Sequence, residues 1–149
     1  MTTPGGMRHS GGMDDLRLDA TPPSLEDYLE LRRASGLTPK RRDQGAPALA
    51  NSWAWRRVVD ADGRSVAMGR VVGDGGWYFL VADMATLPDY QRRGLGRRIL
   101  EGLLAEIREK APSGAYVTLL ADPPGQALYR SLGFTEPTNG SMTMHQVLD

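Results

Sequence analysis

A helix pattern follows a strand pattern in the middle of the chain, and one short loop separates the two. The segment WYFLVADMAT before the loop is rich in β-forming residues, and Pro88 cannot continue it as a central strand. After the loop, apolar residues recur at every fourth position, as an amphipathic helix requires: Leu95, Ile99, Leu103 and Ile107. The next segment, AYVTLLA, is almost continuously apolar, which is typical of a strand buried on both faces. Strand, helix and strand in this order predict a right-handed parallel crossover.

The amino-terminal part adds a strand and a helix to this prediction. Residues Leu16 to Ala20 alternate between apolar and polar and predict a first strand. Ser24 can cap a helix that Gly36 ends, with Asp27 at its third position. Residues 39–52 are polar, basic and broken by a proline, so we expect a loop or a short helix there.

The remaining segments predict further strands and one more helix. From Trp53 onwards, three strand patterns separated by DADG and GDGG indicate an antiparallel meander that ends near Thr86. GQALYRSL predicts a short helix ended by Gly133, and SMTMHQVL predicts a final strand. The result is an α/β (α+β) domain over residues 15–149, with a mixed, mostly antiparallel sheet of six to seven strands and helices on both faces. Residues 1–14 are expected to form a disordered leader.

Composition excludes several classes of protein. Lysine plus arginine and aspartate plus glutamate number 18 each, so no overall field attracts nucleic acid or a membrane surface. Cysteine is absent and the only histidines are His9 and His145, which argues against a metal site and a Ser-His-Asp triad. No segment has the length of a membrane span or the apolar core of a signal peptide. We therefore expect a cytoplasmic protein that binds no metal, membrane or nucleic acid.

The loop before the central helix has the features of a phosphate-binding site. Its sequence is QRRGLG, Gln91 to Gly96, and the first N–H groups of the following helix have no intrahelical partners. Gly94 and Gly96 remove side chains that would hold a phosphate away from those groups. Four arginines within seven positions add local positive charge: Arg92, Arg93, Arg97 and Arg98. The P-loop and GxGxxG patterns are both absent, so the common nucleotide folds do not apply.

Two segments carry a resemblance to a known family. DMATLPDYQRRGLGRRILEGLL resembles the acetyl-CoA-binding signature of the GNAT superfamily of N-acetyltransferases, and ALYRSLGF resembles a later motif of the same family. Their order and separation also match, and the resemblance covers Leu16 to Leu148.

The resemblance implies where an acyl-CoA donor binds. The pyrophosphate would be held by the backbone of the QRRGLG segment: Gln91, Arg92, Arg93, Gly94, Leu95 and Gly96. The charge of Arg97 would add to this binding. The backbone of Met84, Ala85 and Thr86 would pair with the pantetheine. A β-bulge there often separates this strand from the next parallel one, so the fourth and fifth strands, which end at Thr86 and Ala121, would be splayed around the donor.

The resemblance also implies a general acid. Tyr129 occupies the position of a family tyrosine that protonates the departing CoA thiolate, and a phenol with a pKa near ~10 can donate to a thiolate near ~8.5. The alternative for Tyr129 is a core aromatic. Asp122 aligns with a family asparagine that contacts the cofactor, but Asp before Pro123 favours a helix cap instead.

No general base is evident in the sequence. Relatives place Glu or His where this chain has Leu80 and Ala82, and neither side chain can accept a proton. Asp83 is the one ionisable residue on this strand, but strict alternation predicts that it points away from the face of Leu80, Ala82 and Met84. Asp83 therefore stands as a candidate catalytic residue, with a buried structural carboxylate as the alternative.

The acceptor is not fixed by the sequence. Candidates for its binding site lie on the first helix and on the meander: Tyr28, Arg32, Arg33, Trp53, Trp55, Trp77 and Tyr78. We expect acetyl transfer from acetyl-CoA to a primary amine of a small molecule, peptide or protein. A catalytically silent acyl-CoA-binding domain is the alternative, and a homodimer that hides exposed sheet edges is also expected.

Overall fold

The structure is a computed structural model that describes residues 15–149, so the predicted leader lies outside the described residues. The chain divides into two compact units, one that extends to Thr118 and a second at Leu119–Asp149. The strands are β1 (Arg17–Asp19), β2 (Ala54–Val59), β3 (Ser65–Gly73), β4 (Tyr78–Thr86) and β5 (Tyr116–Leu119). The helices are α1 (Leu25–Ala34), α2 (Arg42–Asn51), α3 (Leu95–Lys110) and α4 (Gln126–Ser131).

The five strands form one sheet in the order β1-β2-β3-β4-β5. The first four strands are antiparallel to their neighbours. β4 and β5 run in the same direction, because the Tyr116 amide donates to the Trp77 carbonyl at 2.7 Å and the Thr118 hydroxyl donates to the Phe79 carbonyl at 3.4 Å. The predicted mixed, mostly antiparallel sheet is therefore confirmed.

The predicted count of six to seven strands is wrong, since residues 15–149 contain five. The expected final strand at residues 141–148 has no regular secondary structure. Its apolar side chains are largely exposed: Met142, Met144, Val147 and Leu148. An apolar pattern makes a strand only where a neighbouring strand supplies hydrogen bonds and a core buries one face.

Helices cover both faces of the sheet, as predicted. α3 buries its apolar stripe against one face: Leu95, Ile99, Leu100, Leu103, Leu104 and Ile107. Gly69 of β3 lies on that face, because a Cβ built on it would lie 2.8 Å from Ile99. α1 lies on the other face, where it buries Tyr28 and Leu31.

The helix α1 begins and ends where its capping residues predict. The Ser24 hydroxyl accepts a hydrogen bond from the Asp27 amide at 3.1 Å and so caps the helix. The Asp27 carboxylate in turn accepts from the Ser65 amide at 2.9 Å, which fixes the start of α1 against the start of β3. Gly36 follows the helix in the left-handed conformation, at φ 91°. The segment predicted as a loop or short helix forms α2.

A β-bulge interrupts β4 near its end. Met68 pairs with Ala85 and Arg70 pairs with Ala82, so two residues of β4, Asp83 and Met84, lie opposite one residue of β3. Asp83 is in the left-handed region at φ 58°, which non-glycine residues adopt infrequently. The bulge turns the last part of β4 just before the loop that leads to α3.

Candidate functional site

The loop between β4 and α3 is fixed to the sheet by two hydrogen bonds. The Leu87 amide donates to the Val66 carbonyl of β3 at 2.9 Å, and Pro88–Tyr90 then form a short 3-10 helix. The Gln91 side-chain amide donates back to the Thr86 carbonyl at 3.1 Å. The loop therefore places the amino end of α3 next to the carboxyl end of β4.

The amino end of α3 provides an open cradle of backbone N–H groups. Gly94 is the N-cap residue, with φ 78°, and its carbonyl accepts from the Arg98 amide at 3.2 Å. The amides at the start of the helix before Arg98 have no carbonyl acceptor within the helix, and they lie at the positive end of the helix dipole. A Cβ built on Gly94 would meet no other atom within 4 Å, so the space in front of the cap is open. This arrangement can bind an anion such as a pyrophosphate.

Arginines surround this cradle in different roles. Arg92 is left-handed at φ 65°, which turns the loop immediately before Gly94. The Arg93 guanidinium lies over the Tyr90 ring, 5.1 Å from its centroid. Arg97 forms an exposed ion pair with Glu101 at 3.6 Å, one helical turn further along. The positive charge near the cradle is therefore held close to the loop by neighbouring residues of the loop and the helix.

A buried ion-pair cluster lies on the α1 face of the bulge. Asp83 Oδ2 accepts from Arg70 Nε at 2.7 Å and from the Tyr28 hydroxyl at 2.7 Å, and Asp83 Oδ1 pairs with Arg32 Nη1. The Asp83 side chain is only 4% exposed, and those of Arg32 and Arg70 are 12% and 18% exposed. We call these four residues the Asp83 cluster: Tyr28, Arg32, Arg70 and Asp83.

The position of Asp83 corrects the prediction from strict alternation. Arg70 is the register partner of Ala82, so the two share a face, and Asp83 contacts Arg70 on that same face. Met84 lies on the opposite face, where its sulfur approaches Gly69. The bulge breaks the two-residue period, because its extra residue rotates the backbone between Ala82 and Met84.

The cluster keeps Asp83 ionised. Burial alone would raise the pKa of Asp83, but the hydrogen bond from Tyr28 and the charges of Arg70 and Arg32 outweigh it and hold the pKa below its usual value. Burial, together with the hydrogen bond to Asp83, raises the pKa of Tyr28 to about 12. At neutral pH the Tyr28 phenol therefore remains a donor and the Asp83 carboxylate remains an acceptor.

Both arginines of the cluster reach beyond the sheet. Arg32 donates from Nε and Nη2 to the Thr38 carbonyl, at 2.9 and 2.7 Å, and so fixes the segment between α1 and α2. Arg70 donates from Nη1 to the Ser52 hydroxyl at 3.1 Å, just after α2. The cluster thus joins the bulge of β4 to the segments that precede and follow α2.

An exposed aromatic surface lies at the amino ends of β4 and β5. Trp77, Tyr78 and Tyr116 are 61%, 43% and 52% exposed. The Trp77 and Tyr78 rings meet edge to face at 5.3 Å, and those of Tyr78 and Tyr116 at 5.5 Å. Leu80, one alternation further along β4 from Tyr78, is 36% exposed. This surface can bind an apolar or aromatic group.

The second unit contains the predicted general acid. Tyr129 lies in α4, and its ring meets Phe134 edge to face at 6.3 Å. A Cβ built on Gly125 would lie 2.7 Å from the Tyr129 ring, so only glycine leaves room for the ring there. Burial and the nearby charge of Asp122 raise the pKa of Tyr129, which keeps the phenol protonated at neutral pH.

The structure separates the predicted acceptor residues into different surroundings. Trp77 belongs to the exposed aromatic surface, whereas Tyr28 and Arg32 belong to the buried Asp83 cluster. Sequence reasoning did not single out Arg70 or Ser52. Only the pairing of β3 with β4 places Arg70 beside Asp83, and no signal within β3 itself indicates it.

Residues 15–149 contain no group of three or more His, Cys, Asp or Glu that could hold a metal ion. In the same part of the chain, no helix combines the length and the apolar character needed to cross a lipid bilayer.

Comparisons with known proteins agree with the motifs. The chain matches the family described as "Acetyltransferase (GNAT) domain" over residues 52–136. A "probable acetyltransferase" of meticillin-resistant Staphylococcus aureus has a crystal structure that superposes with a TM-score of 0.84. It is 33% identical and covers 89% of this chain and 99% of its own.

Two curated relatives carry the names of their acceptors. Serotonin N-acetyltransferase 2, chloroplastic, of Oryza sativa subsp. japonica is 38% identical over 100 residues, which are 64% of this chain and 49% of that protein. The [ribosomal protein bS18]-alanine N-acetyltransferase of Escherichia coli is 42% identical over 66 residues, 40% of this chain and 45% of that protein. The chain thus spans about half the length of these relatives.

Proposed function

The chain belongs to the GNAT acetyltransferase family, and from that premise we propose that it transfers an acetyl group from acetyl-CoA to a primary amine. The observation that carries the proposal is the cradle at the amino end of α3. Its left-handed Gly94, open space and helix amides suit the CoA pyrophosphate. The family uses acetyl-CoA as its co-substrate, and the chemistry of the cradle fits the phosphates of that molecule.

The donor would extend from the cradle along the end of β4. Gln91 joins the loop to the Thr86 carbonyl, so the cradle and the last residues of β4 are neighbours. The family resemblance implies that the backbone of Met84, Ala85 and Thr86 would pair with the pantetheine. The bulge at Asp83 and Met84 supports this arrangement, because it turns the backbone of β4 at that point.

The proposed reaction is direct attack of the amine on the thioester. The amine nitrogen forms a bond to the carbonyl carbon, the carbon–sulfur bond breaks, and the sulfur leaves with the electron pair. Tyr129 is the proposed general acid: its phenol is protonated at neutral pH and donates its hydroxyl proton to this sulfur, and the resulting tyrosinate regains a proton from solvent water. The excess proton of the new ammonium passes to water, since Leu80 and Ala82 cannot accept it.

We propose that the acceptor binds with an apolar or aromatic group on the surface of Trp77, Tyr78 and Tyr116. These rings are exposed and lie at the amino ends of β4 and β5, and the donor is assigned to the carboxyl end of the same strand β4. The name of the rice relative gives it an arylalkylamine, serotonin, as acceptor. The name of the Escherichia coli relative gives it the alanine of a ribosomal protein, so a peptide amino terminus is the second class to test.

A panel of amines with acetyl-CoA tests the function. CoA release is followed with a thiol reagent, and the absence of cysteine from this chain removes any background from protein thiols. The panel compares arylalkylamines, alkylamines of equal chain length and short peptides with a free alanine amino terminus. Turnover fastest with arylalkylamines would support the aromatic surface as the acceptor site.

The same preparation separates the enzyme from a silent binding domain. Calorimetry with acetyl-CoA measures binding without any acceptor. Binding without turnover of any amine would favour the silent acyl-CoA-binding alternative, and the absence of binding would contradict both proposals. The cytoplasmic location stays a prediction from the lack of cysteine, and the rice relative is named as chloroplastic.

A further inference from the structure

The left-handed conformation of Asp83 needs a physical cause. Most side chains disfavour this region, and aspartate tolerates it better than most. A residue in such a conformation persists where its surroundings over-determine it. Asp83 is also the extra residue of the bulge, so whatever holds Asp83 also holds the turn in β4.

The bulge is clamped from both faces of the sheet. On the α1 face, both carboxylate oxygens of Asp83 are occupied, one by Arg32 and the other by Arg70 and Tyr28. On the α3 face, the Met84 side chain fills the space above Gly69. The consecutive side chains Asp83 and Met84 thus fix the backbone between them in one orientation.

We infer that Asp83 is a positioning residue for the acyl donor: its ion pairs with Arg32 and Arg70 hold the bulge that presents the backbone of Met84–Thr86 to acyl-CoA. This inference rests on the proposed function. A carboxylate whose two oxygens already accept three hydrogen bonds has little capacity to take a proton from an amine. Its effect on the reaction is instead through the backbone of β4.

The same contacts couple the donor site to the segments around α2. Arg32 holds Thr38 and Arg70 holds Ser52, on either side of α2, and both arginines meet at Asp83. Loss of the carboxylate would release these segments and the bulge together. The structure therefore assigns to one carboxylate the alignment of two parts of the chain that are distant in sequence.

Two substitutions separate the side chain from the backbone. Asp83→Asn keeps the shape and the tolerance of the left-handed region but removes the charge. Asp83→Gly keeps the left-handed region accessible but removes every side-chain contact. Arg70→Lys is a milder third variant that keeps the charge and loses the guanidinium geometry. Glu106→Gln is the matched control, because Glu106 forms a similarly buried ion pair with Arg56 at 2.7 Å on the α3 face.

The measurements are the acetyl-CoA dissociation constant by calorimetry, the melting temperature, and kcat and KM with the best amine of the panel. We expect the Asp83 and Arg70 variants to bind acetyl-CoA about tenfold or more weakly, since a shifted β4 backbone would lose hydrogen bonds to the donor, and the loss of one or two such bonds lowers affinity about tenfold. Glu106→Gln should change the melting temperature alone.

Each contrary result has a distinct meaning. Unchanged acetyl-CoA affinity and unchanged kcat in folded Asp83→Asn would overturn the inference and leave Asp83 a structural residue. If Asp83→Asn kept its affinity for acetyl-CoA but lost most of its kcat, and its kcat no longer fell at acidic pH as that of the wild type does, Asp83 would be a general base and the inference would be overturned. Wild-type protein that does not bind acetyl-CoA would instead contradict the proposed function.

Discussion

Gly69 of β3 and Met84 of β4 are neighbours on the α3 face of the sheet, so close that a Cβ on Gly69 would lie 2.5 Å from the Met84 sulfur. The same Cβ would lie 2.8 Å from Ile99 of α3. A glycine inside a strand ordinarily weakens it. Here it leaves the space that the bulged residue Met84 needs beneath the helix.

Gly69→Ala should therefore destabilise the fold. An added methyl group would have to displace Met84 and Ile99, and overpacking of this kind costs about 1–3 kcal/mol. Urea unfolding measures the loss. Gly76→Ala is the control, because the atom nearest to a Cβ on Gly76 would be Asp74 Oδ1 at 3.5 Å, an ordinary contact. This control should change the free energy of unfolding little. Equal stability of the two variants would contradict the tight packing at Gly69.

The cradle predicts an electrostatic effect at Gly94. Asp and Asn are nearly isosteric and both tolerate the left-handed region, so Gly94→Asp and Gly94→Asn differ mainly in charge. Gly94→Asp should weaken acetyl-CoA binding far more than Gly94→Asn, and far more than Asp83→Asn. Calorimetry at low and high salt checks this, because added salt should reduce the difference in acetyl-CoA affinity between the Asp and Asn variants. Equal affinity of the Asp and Asn variants would remove the cradle as the phosphate site.

Tyr129→Phe tests the general acid. The change removes a hydroxyl whose interaction forms mainly in the transition state, and it keeps the ring beside Phe134. Turnover should fall by roughly ten- to a thousandfold with little change in acetyl-CoA affinity or melting temperature. Gly125→Ala is a companion variant, since it displaces the ring and keeps the hydroxyl, and it should also lower kcat. Turnover retained in folded Tyr129→Phe would assign proton delivery to water.

The Asp83 cluster predicts a loss of stability in acid. The folded-state pKa of Asp83 lies below its usual value of about 3.9, so its stabilisation is complete above the unfolded-state pKa and is lost as pH falls through the folded one. At pH 7, Asp83→Asn should lower the free energy of unfolding by about 3–5 kcal/mol, the usual cost of breaking a buried ion pair. Below about pH 4 the difference between wild type and variant should shrink. A difference that stays constant from pH 7 to pH 3 would show that the charge is not its source.

The expected homodimer remains to be measured. Met142, Met144, Val147 and Leu148 are 76%, 83%, 88% and 79% exposed, and contact with a second copy would remove this apolar surface from water. Light scattering over a concentration series should give a dimer mass. A double variant, Met142→Ser with Met144→Ser, should shift the equilibrium towards monomer. A monomer mass for wild type at every concentration would contradict the prediction.

Much of the architecture followed from local sequence signals. Ser24 and Asp27 are three positions apart, and their cap appears as predicted. The end of β4 at Thr86 followed from Pro88, and α3 followed from its own four-residue period. The prediction of a final strand was wrong, because its sequence pattern specifies only which side chains alternate, whereas a strand also requires a neighbouring strand.

The sequence alone determined the family, the crossover and the glycine and arginine residues of the loop before α3, because these depend on spacings within about twenty residues. Only the tertiary structure decided which way Asp83 points. Its direction depends on Gly69 and Met84 on one face of the sheet, and on Tyr28, Arg32 and Arg70 on the other. These residues come from α1, β3 and β4, and no periodicity within β4 can encode a bulge that its neighbours impose.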